Sequence, residues 1–586
     1  PVKHFNFEIN SSLIERSPHF NFTLFSIAYI TYNCFNDVRV VGEPPSSIGK
    51  FGGDTDNWMW PRHTGDFTMF RVYADKENNP SSYNQDNMPL KPKHSLPVSI
   101  AGVKDGDYAM IMGYPGSTDR FLTSWGVKQA VDIEQPARVK IRGIKLDIMD
   151  QEMSKSQKVR IQYASKYARV SNYWKYFIGQ SEQLVKNKVF DKKQKIENSF
   201  TTWFKNNELD KTYSESLSLI ENALKNSSKY TIPKVYFQEA VVGSELILFM
   251  LRNLSPRTPL FKALSSGEGI KDAKDNFLKV AESFYKDYNA TIDENTLAAV
   301  LSLYANDVPK EFQPELLISL DDKYKGDFKK VASNYFKKSP FKSYDLFKAW
   351  LTSDKLSVKM IEKDLVYQLK NEFLDVYRAK VMTPNSAFDG DYKKGMRLFV
   401  DGLQKMGMNK ASDANSTMRF TYGNVLSYKP ADAVHYDFYT TLEGVMQKEV
   451  ITEDKNHEFY VPQKLKDLYY AKDFGPYARK EDGKLPVGFL SNNDITGGNS
   501  GSPVINAHGE LIGTAFDGNW EAMSGDIYFE PNIQRTISVD IRYSLFIIDK
   551  YAGAKHLIDE MNIVTDRHVE EKLETSPASA NPVPEK

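Results

Sequence analysis

Late in the chain, the run Ile495-Thr496-Gly497-Gly498-Asn499-Ser500-Gly501-Ser502-Pro503 sets a serine hydroxyl inside a glycine-rich turn. A hydroxyl there can attack a carbonyl once a base takes its proton, and the glycines let two backbone N–H groups converge on the developing oxyanion. The stretches from Lys484 to Leu490 and from Gly509 to Phe516 have the short apolar pattern of strands. Strand, tight turn, strand is the nucleophile setting of chymotrypsin-like barrels. The α/β-hydrolase elbow is excluded, because it requires G-x-S-x-G and a following helix, whereas Ser502 takes the last glycine position and Pro503 follows. The motif alone leaves open an ordinary Gly/Ser/Asn hairpin, the commoner use of these residues.

A nucleophilic serine also needs a base and a carboxylate that orients the base. The segment GGDTDNWMWPRHTGDF, from Gly52 to Phe67, is too dense in polar and aromatic residues for a plain strand. Asp66 is its candidate carboxylate, against the alternative of a turn or capping aspartate.

These groups need elements to hold them. From about Asp37 to Thr123, short apolar runs such as Phe67 to Tyr73 and Tyr108 to Gly113 are cut by Gly, Pro and Asn, which predicts β-structure. From about Val131 to Met418 the pattern becomes helical. Val358, Ile361, Leu365, Leu369, Phe373 and Val376 fall three or four residues apart and predict one apolar helix face; Ile270, Phe277, Val280 and Phe284 predict another. Such stripes are read as core. From about Tyr422 to Tyr551 short strands return. The coarse division is an N-terminal segment 1–35, a β-rich segment 36–130, helices over 131–421, a second β-rich segment 422–569 and a Pro/Ala/Ser/Glu-rich tail 570–586, expected to be disordered.

Composition narrows the classes. At 586 residues the chain exceeds one ordinary core. Lys plus Arg and Asp plus Glu are 76 each, so charge gives no reason to propose nucleic acid or an anionic membrane as partner. No apolar run reaches the roughly 20 residues that span a bilayer. One cysteine, Cys34, excludes an internal disulfide and a cysteine zinc cage. No Walker loop, dinucleotide fingerprint or HExxH motif is present, so neither metal nor cofactor is expected.

The segments GGDTDNWMWPRHTGDF, MGYPGSTDRF, SNYWKYF, SNNDITGGNSGSP and FDGNWEAMSGDI, in this order, resemble the bacterial dipeptidyl-peptidase 7 and dipeptidyl-peptidase 11 family of serine exopeptidases, from about Asn36 to Val564. The resemblance implies a mixed β and α fold: a chymotrypsin-like double β-barrel, its first barrel incomplete here, with a large inserted α-helical cap domain. It implies release of dipeptides from a free peptide N-terminus, without a metal, in the periplasm or outside the cell, and it is compatible with a homodimer. Position by position, Ser500 matches the nucleophile, Asp66 the triad carboxylate, and the N–H groups of Gly498 and Ser500 the oxyanion hole. Asn57, Trp58, Asn172 and Asp517 match the clamp for the substrate's α-amino group. Asn499 stands where trypsin-like enzymes carry an aspartate that pairs with a newly cut N-terminus, so activation by that route is not expected. Gly518 stands where the acid-specific branch carries an arginine, which favours hydrophobic P1 residues, P1 being the residue before the cleaved bond.

The family's catalytic histidine precedes its triad aspartate by more than a hundred residues, and only 65 residues precede Asp66. The nine histidines are His4, His19, His63, His94, His435, His457, His508, His556 and His568, and none lies in a segment resembling the base motif. His63 reads as structural. The expectation is a truncated, frame-shifted or chimeric gene product that retains Ser500 and Asp66 but lacks the base. A catalytically inactive remnant that binds peptide N-termini is the second reading, and a helical scaffold the third.

Overall fold

The computed structural model describes residues 34–408 and 411–568. His4, His19, nearly all of the segment 1–35 and the tail 570–586 lie outside them. The chain divides into two compact units: one contains the chain up to Gly116, Ser416–Asn519 and the part from Pro531 onward, the other Ser117–Asn415 and Trp520–Glu530.

The first unit holds the strands. They are β1 (Asp37–Gly42), β2 (Met69–Ala74), β3 (Met88–Pro89), β4 (Val98–Ser99), β5 (Tyr108–Gly113), β6 (Arg419–Asn424), β7 (Tyr428–Ala431), β8 (Val434–Tyr436), β9 (Tyr439–Thr441), β10 (Pro486–Ser491), β11 (Pro503–Ile505), β12 (Leu511–Gly518), β13 (Thr536–Asp540) and β14 (Ile563–Val564). A nine-stranded sheet runs β6-β5-β11-β12-β13-β10-β9, with β4 pairing β12 and β14. The two β-rich segments of the sequence are thus not separate in the sheets. Strand β5, from the N-terminal segment, lies between β6 and β11, with Ile111 opposite Val504 and Met112 opposite Phe420. Its inward residues Ala109 and Ile111 join Val504, Ile512, Ala515 and Phe489 in one buried cluster, which is the apolar burial that selects this pairing. Strands β10 and β13 are buried along their whole length.

A separate three-stranded sheet, β1-β2-β3, pairs Val40 with Phe70. Both side chains are open to solvent, at 65% and 59% exposure.

The second unit is helical. Its helices include α1 (Gln135–Met153), α2 (Gln157–Lys186), α3 (Glu245–Asn253), α4 (Ile270–Lys286), α5 (Val358–Glu362) and α6 (Leu365–Val376). The apolar face expected from Val358 to Val376 is split between two helices. The first ends at Glu362 with Lys363 as its C-cap, and Asp364 caps the second, its carboxylate accepting from the Tyr367 N–H at 2.9 Å. In α4, Phe277 and Ala281 are buried but Val280 is 45% exposed, because α4 buries a narrower stripe than the spacing suggests. Where sequence reading began the helical region at 131 and ended it at 421, the first helix of this unit is Ser124–Gln129 and β6 already starts at Arg419. The short Trp520–Ser524 helix also belongs here: a Cβ on Gly179 of α2 would lie 2.8 Å from Met523. No helix among the described residues is long and apolar enough to cross a membrane.

Candidate active site

Ser500 lies in the turn between β10 and β11, and these two strands are not neighbours: β12 and β13 stand between them. The turn is therefore a crossover, and the hairpin alternative is excluded. Its shape comes from Gly498 and Gly501, with φ of 108° and 84°. A Cβ on Gly498 would collide with the Tyr114 carbonyl and lie 2.9 Å from the Gly116 N–H. The Gly116 N–H in turn donates to the Gly497 carbonyl at 2.7 Å, so Tyr114 to Gly116 form the floor of the turn.

Asn499 is buried, and its Oδ1 accepts from the Thr496 N–H at 3.2 Å. It serves as an internal tie of the turn. Ser500 is exposed, and no acceptor among the described residues engages the N–H groups of Gly498 and Ser500. Two idle donors flanking an exposed hydroxyl are what an oxyanion site requires.

The Ser500 hydroxyl donates to the Phe516 carbonyl at 3.1 Å. A β-bulge makes that carbonyl available. Ala515 faces Ser538 and Asp517 faces Ile537, leaving Phe516 as the extra residue of β12.

The next residue, Asp517, is buried. Its Oδ2 accepts from Arg62 Nη1 at 2.9 Å and from the Trp58 N–H at 3.2 Å, and its Oδ1 accepts from the Gly518 N–H at 3.0 Å. Burial pushes the Asp517 carboxyl above the usual carboxylate range, and the Arg62 guanidinium opposes this. Trp58 reaches its place with φ of 65°, a left-handed conformation that is costly for a large side chain. Asn57, beside it in the same turn segment, is half-buried.

Asp66 is open to solvent at its edge, yet the protein behind it desolvates the carboxyl and raises its pKa; Arg62 lowers it and Asp517 raises it further. The two carboxylates and one guanidinium therefore share a local field. Asn172 is half-buried on α2, within the helical unit. Gly518 ends β12 opposite Thr536. It is buried and still paired at the strand end, so a tight turn does not account for the glycine.

His63 is buried, and desolvation, with Lys448 and Arg62 nearby, holds its imidazole down at about pKa 3. A ring so hard to protonate is a poor general base at neutral pH.

Sequence reasoning missed Arg62, although a lone arginine in a motif destined to be buried needs a counter-charge, and Asp517 was already a candidate. It also gave no role to Tyr114-Pro115-Gly116. The bulge at Phe516 has no local sequence mark.

Comparison with known proteins adds independent findings. The family model for Peptidase S46 matches residues 24–563. The match thus starts inside the segment 1–35 set apart above, since a profile over the whole length extends beyond the short motifs. The chain is 45% identical over 541 residues to dipeptidyl-peptidase 7 of Porphyromonas gingivalis, covering 91% of this chain and 74% of that protein. To the Asp/Glu-specific dipeptidyl-peptidase of Flavobacterium psychrophilum it is 42% identical, covering 92% and 74%. Among solved structures, Porphyromonas endodontalis DPP11 in complex with the dipeptide Arg-Asp superposes with a TM-score of 0.82 at 38% identity, covering 91% of this chain and 75% of that one.

Proposed function

Because the chain belongs to the peptidase S46 family, we propose that it is a serine exopeptidase that removes dipeptides from free peptide N-termini and prefers hydrophobic P1 residues. The observation that carries this reading is the exposed Ser500 hydroxyl set between the idle N–H groups of Gly498 and Ser500. Once a base takes its proton, Ser500 attacks the carbonyl carbon of the second residue, and those two donors hold the oxyanion. Asp517, with Trp58 and Asn57, receives the α-amino group, which fixes the distance from the N-terminus to the cleaved bond; a part for Asn172 rests on the resemblance alone. Asp66 is read as the triad carboxylate; the base it would orient is not among the residues that the sequence reading assigned. Gly518 leaves the P1 pocket without a cation, which supports apolar rather than acidic side chains. The nine-stranded sheet is read as the second barrel, β1-β2-β3 as part of the first, and the helical unit as the inserted domain. A periplasmic location and a homodimer belong to the same reading and rest on the resemblance.

A second reading, binding without turnover, is favoured by one contact. The Ser500 proton is held by the Phe516 carbonyl, which cannot accept it as a base. The two separate in one assay of peptides with free or acetylated N-termini. Dipeptide release that disappears in Ser500→Ala supports the exopeptidase. Binding selective for the free amine, without release, supports the second reading. Equal binding of acetylated peptides refutes both.

A further inference from the structure

This inference rests on the reading of Asp517 as the acceptor for a substrate's α-amino group. We propose that Arg62 is the positioning residue of the amine site: together with the Trp58 N–H it occupies Oδ2 of Asp517, so that the ammonium meets Oδ1 alone, from one direction.

A carboxylate offers roughly four acceptor positions, two on each oxygen. Oδ2 of Asp517 is filled by Arg62 Nη1 and Trp58 N–H, and Oδ1 has one partner, the Gly518 N–H. The position left over lies on Oδ1. Arg62 is itself locked. Nη1 also donates to the Asp56 carbonyl at 2.7 Å, Nε donates to Thr64 Oγ1 at 2.7 Å, and that hydroxyl donates to the Phe51 carbonyl at 2.8 Å. The guanidinium carbon lies 5.1 Å from the centre of the Phe516 ring, on the bulge whose carbonyl holds Ser500. A planar fork with several donors in fixed directions can make all these bonds together; a lysine cannot.

The same cation acts on Asp66, lowering the carboxyl that Asp517 raises. Arg62 thus connects the group that measures the N-terminus with the candidate triad carboxylate. An unpaired Asp517 would present a mobile, desolvated anion to any cation, and the ruler from amine to cleaved bond would lose its zero point.

The test is calorimetric binding of valyl-phenylalanine and of its N-acetyl form to the full chain, with thermal unfolding of each variant alongside. Wild type is expected to favour the free amine, and Asp517→Asn to abolish that preference. Arg62→Met is expected to lose about tenfold or more in affinity for the free dipeptide only, a charge-assisted contact being at stake. Arg62→Lys recovers part of this, and the double variant with Asp517→Asn is no weaker than Asp517→Asn alone. Unchanged or tighter binding by Arg62→Met overturns the proposal, as do additive losses in the double variant. If Arg62→Met does not fold, Arg62→Lys decides: a loss confined to the free amine supports the proposal, and wild-type affinity overturns it. If Asp517→Asn leaves the preference intact, the amine-site reading falls and takes this inference with it. If only the Arg62 variants behave as wild type, the inference alone falls.

Discussion

Gly113 and Asn499 lie against each other, and the side chain that the glycine lacks is the room occupied by the asparagine amide. A Cβ at Gly113 would run into Asn499 Nδ2 and stop 2.5 Å from Ser502 Oγ. Strand β5 therefore supports the nucleophile turn from behind, in a register fixed by Ile111 opposite Val504. Gly113→Ala is expected to cost about 1–3 kcal/mol by overpacking. It should also reduce dipeptide release more than it reduces affinity for valyl-phenylalanine. Denaturant midpoints and paired kinetic and binding measurements check this; equal loss in both would mean general disruption.

Gly498 carries a left-handed φ, and its N–H is one of the two proposed oxyanion donors. Gly498→Ala meets the Tyr114 carbonyl and an unfavourable φ together. Removal of one oxyanion donor costs roughly a hundredfold or more in kcat. Substrate affinity should change little, because the proposed amine site does not use this turn. The kcat and KM of the variant separate the two effects.

His63 gives a pH dependence whose sign is fixed. Its folded pKa of about 3 lies below the ordinary histidine value of 6.5, so the unfolded chain binds the extra proton first. The neutral ring's contribution is complete above pH 6.5 and is lost as the pH falls toward 3, by about 1.4 kcal/mol for each unit crossed. His63→Leu should flatten this part of the curve. The difference in denaturation free energy between wild type and variant, followed from pH 7 to pH 4, measures it; a constant difference would refute the assignment.

Gly518 tests the pocket. Gly518→Arg should shift binding from valyl-phenylalanine toward valyl-glutamate by about tenfold, the value of one charge-assisted contact. The competition is read calorimetrically on the same preparation. An unchanged ratio would show that the side chain at this position does not face the P1 residue.

The candidate site residues were legible because their types are unusual in series: Gly-Gly-Asn-Ser-Gly-Ser announces a special turn, and Tyr108 to Gly113 is a strand with the bounds that its pattern suggests. What pairs with what was not legible. The insertion of β5 beside β11 depends on partners some 390 residues away, and local alternation carries no address. The bulge at Phe516 arises from a register mismatch between β12 and β13, which neither strand shows alone. The break at Asp364 was readable, since an aspartate before a helical run is a capping residue, but the unbroken apolar spacing outweighed it. Arg62 went unassigned for a different reason. A buried charge reveals its purpose only when its partner is placed.

The separation of β10 from β11 in the sheet also has a kinetic consequence. A hairpin turn can close while its two strands are the only structure present; this crossover cannot, because β12 and β13 must first take the places between its ends. The Ser500 turn is then a late product of assembly, dependent on contacts of long sequence separation that form slowly. During refolding, burial of the sheet core should precede formation of the Ser500 turn and of the proposed amine site, and a peptide spanning 486–505 alone should hold no memory of its shape.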